Sequence, residues 1–63
     1  MKYVIVMLTE HSAGYYHPKD DKEFCDMIDI LERRQGYSVM EIHSKTELEV
    51  DYKIAVLGKK EVD

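Results

Sequence analysis

Hydrophobic positions follow different rhythms along this chain. From Lys2 to Thr9 (KYVIVMLT) the apolar residues are nearly continuous and rich in β-branched types. A run that is apolar at both odd and even positions predicts a central strand covered on both faces. From Phe24 the rhythm changes: Phe24, Met27, Ile28 and Leu31 recur at spacings of three, four and seven. That spacing gathers them on one face of a helix, and Lys22, Asp26, Asp29 and Arg33 fall on the opposite face. Tyr37 to Ser44 (YSVMEIHS) predicts a second strand, with Tyr37 and Val39 on one side and Met40 and Ile42 on the other. Val50 to Gly58 (VDYKIAVLG) predicts a third, where Val50, Tyr52, Ile54 and Val56 alternate with Ala55 and Leu57. The polar stretch KTELE separates the last two strands.

The helix carries start and stop signals. Asp20 as N-cap places Glu23 at the third helical position, a pairing that resembles a capping box and satisfies free backbone N–H groups. Acids crowd the first turns and Arg33-Arg34 the last, as the helix dipole favours. Lys22/Asp26 and Asp29/Arg33 are spaced for i,i+4 pairs, each contributing about 0.2–0.5 kcal/mol. Gly36 suits the residue just past the helix end, where a left-handed backbone is needed. The acidic character is therefore explained by helix chemistry and a solvated face.

The expected order is βαββ: a single α/β domain over residues 1–63, with a three-stranded sheet and one helix on one face. Two sheet orders compete. The second and third strands can form an antiparallel hairpin across KTELE. Alternatively, the third strand lies parallel beside the first, giving the order 2-1-3. In that version YVIVMLTEHSAG, RRQGYSVMEI and DYKIAVLG resemble the first third of a flavodoxin-type fold. The parallel return would retrace about six residues at ~3.3 Å each through a very short connection. The hairpin is sterically easier and is preferred.

Either order raises the same difficulty. All three strands are apolar on both faces, and one helix covers one face. The other would be an exposed apolar area larger than monomers usually tolerate. A second copy of the chain, as a homodimer through that face, or a different protein is the expected cover.

Composition sharpens this picture. A chain of 63 residues buries only about 60% of its unfolded surface, so its core needs help. Its single cysteine, Cys25, forms no intrachain disulfide, and no Cys or His spacing matches a zinc module. Cys25 reads as a buried small side chain on the helix border. Hydrophobic residues make up 44%, which excludes a disordered chain. The net charge of −4 and the lack of basic clusters make a nucleic-acid partner an unfavoured reading. No apolar run approaches the ~20 residues of a membrane span, and no membrane partner is expected. Without an export signal, a lone thiol points to the cytoplasm.

Candidate chemistry concentrates in TEHSAGYYHPKDD, Thr9 to Asp21, between the first strand and the helix. Ligands in α/β folds often sit at such connections. This one lacks both GxxxxGK[ST] and GxGxxG, and Asp20 and Asp21 would repel phosphate at the helix start. Its tyrosines offer large contact area with a polar tip, which suits protein recognition. His11, Ser12, Tyr15, Tyr16 and His17 are therefore the expected partner-binding residues. Simple packing over a small core is the main rival.

No catalytic residues, metal ligands or cofactors are assigned, and the chain does not read as an enzyme. The sequence reading is a small non-catalytic protein-binding or regulatory protein, with inhibition of a larger protein as one such role. A small-ligand or metal-binding module using the His/Tyr loop 11–17, and a purely structural subunit, are the alternatives. The final Glu61-Val62-Asp63 is similar to C-terminal peptides recognised by helical-repeat cochaperones, and also reads as a solvated tail.

Overall fold

The structure, a computed structural model, describes residues 1–60. It contains β1 (Lys2–Leu8), β2 (Ala13–Tyr16), α1 (Asp21–Arg34), β3 (Ser38–Glu47) and β4 (Val50–Gly58). The four strands form one mixed sheet in the order β2-β1-β4-β3. The α/β class with one helix is as the sequence predicts, but the sheet has four strands rather than three.

The extra strand lies inside the supposed loop. Thr9 N–H donates to the Ser12 carbonyl at 2.9 Å, which turns the chain back on itself. The Thr9 hydroxyl oxygen also accepts from Ser12 N–H at 3.1 Å, so one side chain holds the tight turn. Ala13-Gly14-Tyr15-Tyr16 then pairs antiparallel with β1, setting Tyr16 opposite Ile5 and Tyr15 opposite Val6. Adjacent aromatics suit a pleated surface better than a loop.

Both competing sheet orders contribute, yet neither describes the whole. β3 and β4 form the preferred antiparallel hairpin. β4 also runs parallel to β1, with Ile5 opposite Ala55 and Met7 opposite Leu57. The flavodoxin-like 2-1-3 order is not found, because β3 lies beyond β4 at the sheet edge. Side-chain polarity explains the placement. β4 brings Ala55 and Leu57 to full burial beside β1, whereas β3 carries Glu41, His43, Lys45 and Glu47 and tolerates an edge.

Helix α1 packs Phe24, Ile28 and Leu31 onto Ile5, Ala55 and Leu57, and these six residues are the buried core. Tyr3 meets Phe24 with ring centroids 5.4 Å apart. Lys53 lies over the Phe24 ring at 5.3 Å, and its ammonium reaches Asp21 at 3.2 Å, joining the helix start to the sheet. The Asp20 side chain accepts from Glu23 N–H at 2.8 Å, as an N-cap should. The Glu23 side chain does not complete the box: its carboxylate accepts from the Tyr16 hydroxyl at 2.9 Å. Lys22–Asp26 and Asp29–Arg33 both close at 2.9 Å. Gly36 has φ of 77° just past the helix end. Cys25 corrects its expectation, since it is exposed on the helix flank.

The β3–β4 hairpin turns through Leu48 and Glu49, whose φ values are 50° and 64°. Two positive φ angles are what a type I′ turn requires, and Asn-Gly usually supplies them. Here a leucine and a glutamate adopt them, and Leu48 is 91% exposed. The molecule is elongated, with extents of 44 × 21 × 15 Å.

Candidate functional site

Strand alternation sorts the sheet residues into two faces. Tyr3, Ile5 and Met7 of β1 point to the helix side, together with Tyr16, Ala55, Leu57 and Val39. Val4, Val6 and Leu8 therefore point the other way, as do Tyr15 of β2 and Tyr52, Ile54 and Val56 of β4. No described helix lies on that side. Its β1 and β4 residues are half-buried by neighbouring strands, and Tyr15 is 64% exposed. β1 is thus central, with the helix over one face and no described helix over the other. This open apolar face is the candidate site.

Its margins are polar on one side and apolar at one end. Along β3 the face carries Glu41, His43, Lys45 and Glu47, with Glu41–His43 at 3.0 Å and Lys45–Glu47 at 3.2 Å. The Lys45 ammonium lies 5.8 Å from the Tyr52 ring centre. Toward the C-terminal end of β4, Met40 is 66% exposed and lies against Gly58. A side chain at Gly58 would meet the Met40 sulfur at once. A shallow cleft of about 450 Å³ there includes Leu8, Met40 and Gly58.

The five residues singled out from the sequence do not converge. Tyr15 faces Val6 on the open side. Tyr16, next to it, faces Ile5 on the helix side and is tied to Glu23. That hydrogen bond, and the charge of the same carboxylate, raise the Tyr16 phenol above the ordinary tyrosine value. His11 and Ser12 sit in the turn before β2, and His17 follows its end. Four residues of strand, roughly 13 Å, separate the two histidines.

His17 lines a cleft of about 480 Å³ with Met1, Tyr3, Pro18 and Tyr52 at the N-terminal end of β1. Among the described residues no three His, Cys, Asp or Glu side chains gather where they could hold a metal ion. No described helix is long and apolar enough to cross a membrane. Glu61-Val62-Asp63 lies outside the described residues.

Compared with known proteins, the chain matches no family model, no curated protein and no solved structure. The functional reading therefore rests on the geometry.

Sequence reasoning found the alternation of Tyr52, Ile54 and Val56 but missed that Tyr15 joins it. The signal was present: a four-residue turn with Thr and Ser at its ends, followed by two tyrosines soon after an apolar strand. Such spacing fits a hairpin, but the connection lacks the Gly that usually marks one.

Proposed function

We propose that this protein acts by binding another protein through the sheet face opposite its helix. The observation that carries the reading is that Val4, Val6, Ile54 and Val56 form a continuous apolar strip with no described element over it. Covering one such side chain fully contributes about 1.5–3 kcal/mol, so a strip of them can drive association. Tyr15 at one margin and Tyr52 toward the other, with Lys45 over its ring, supply tyrosine, a residue type enriched at interfaces. The His/Tyr segment contributes through Tyr15, while Tyr16 contributes by holding β2 to the helix.

A regulatory role follows naturally for so small a chain, since occupying a surface of a larger protein requires no active site of its own. Ile54→Asp tests the reading. Proteins retained by the immobilised wild-type chain should be lost on the variant, while circular dichroism of the two stays the same. Identical retention by both would remove the open face from consideration.

A further inference from the structure

The two edges of the sheet differ. β2 is four residues long and is followed closely by Pro18, which has no N–H to offer. β3 is ten residues long, contains no proline, and is last in the strand order, so its outer backbone groups pair with no described strand. Long uncovered edges are templates for another strand. β3 also bears Met40 and Ile42, which are 66% and 51% exposed. We infer that a second copy of this chain pairs antiparallel with the outer edge of β3, about a two-fold axis at His43.

Charge complementarity selects both the occupant and the register. Residues facing each other across an antiparallel pair share one face of the sheet. A two-fold pairing of β3 with itself therefore centres on a residue facing its own copy. Centring on Glu41 or on Lys45 sets like charges face to face. Centring on Ser44 sets Glu41 against Glu47 of the second copy. Centring on Ile42 leaves Lys45 opposite the bulged start of the strand, before Glu41, where no acid faces it. Centring on His43 sets Glu41 opposite Lys45 of the second copy, and symmetry repeats that pair. The overlap then runs nearly the whole length of the strand. Ile42, on the helix side, gains Ser44 of the second copy as its neighbour.

This arrangement joins two four-stranded sheets into one. Antiparallel pairing about an axis normal to the sheet leaves both helices on one side and both open faces on the other. The surface proposed above would be doubled and made continuous. The pairing uses the edge, not the open face, so it stands independently of that reading.

Charge reversal tests it. Wild-type chain should sediment as a dimer at micromolar concentration. Glu41→Lys alone and Lys45→Glu alone should each weaken the dimer roughly tenfold or more, because both symmetry-related pairs become repulsive. An equimolar mixture of the two variants should recover the dimer. In the mixed pair the introduced lysine faces the introduced glutamate, and the unaltered Lys45 of one chain faces the unaltered Glu41 of the other. A wild-type monomer, an unaffected single variant, or a mixture that stays monomeric overturns the inference. A second measurement avoids dependence on charge. In a Cys25→Ser background, His43→Cys should cross-link between chains on oxidation, while Ile42→Cys should not. The reverse pattern would overturn the register.

Discussion

The two faces of this sheet are built from similar residues and meet different fates. On one, Ile5, Ala55 and Leu57 lose all contact with solvent under Phe24, Ile28 and Leu31. On the other, Val4, Val6, Ile54 and Val56 are equally apolar, and all four line the side that no described helix covers. The difference lies in coverage. A helix of fourteen residues, roughly 21 Å long, lies over one face of the sheet, and the described residues form no second one. Apolar character alone therefore does not tell which side chains hold this chain together.

The sharpest way to break that comparison is to truncate one residue on each side. Phe24→Ala removes the largest fully buried side chain and should cost about 3–5 kcal/mol. For a domain this small, that is most or all of its stability. Ile54→Ala on the open face should cost well under half as much in the isolated chain. Thermal or urea unfolding of both measures the contrast; equal losses would mean that the open face is already covered.

A smaller effect is expected at the hairpin tip, which helix packing does not stabilise. Glu49 holds φ of 64°, where a side chain strains the backbone by about 1–2 kcal/mol. Glu49→Gly should raise the urea midpoint by an amount corresponding to about 1 kcal/mol. No gain would show that the strain is relieved by other contacts at the turn.

The smallest effect concerns the bond that ties β2 to the helix side. Of five tyrosines, Tyr16 should ionise after the ordinary tyrosine range, because its hydroxyl donates to Glu23. A raised folded-state pKa means that the bond's contribution is fully present below the unfolded tyrosine value. It is lost as pH rises through the folded one. Ultraviolet titration should show a phenol that ionises late, and Glu23→Gln should remove that late step. If Glu23→Gln leaves the titration unchanged, Tyr16 is not engaged with that carboxylate.

Local rules were legible in the sequence and held in the fold. Asp20 caps α1, Gly36 follows its end at positive φ, and Lys22–Asp26 and Asp29–Arg33 pair as their spacing requires. Each involves residues within a turn of one another, so the chain itself sets the geometry. The β3–β4 hairpin was legible for the same reason. β2 was not, because Thr, Ser and Gly in its neighbourhood signal a loop, and its pairing energy comes from β1. Cys25 was misplaced because a helix border is buried or open according to what lies across from it.

The candidate site divides along the same line. That some apolar surface would remain uncovered followed from counting one helix against strands apolar on both sides. Which residues compose that surface followed only from strand order and register. Tyr15 and Tyr16 are neighbours of identical chemistry, yet the pairing with β1 sends one to the open face and the other to Glu23. Helix, caps and hairpin belong to the sequence, because contacts within a few residues decide them. The sheet order, the fourth strand and the division into a buried and an open face belong to the tertiary structure, because contacts between distant segments decide where each side chain ends.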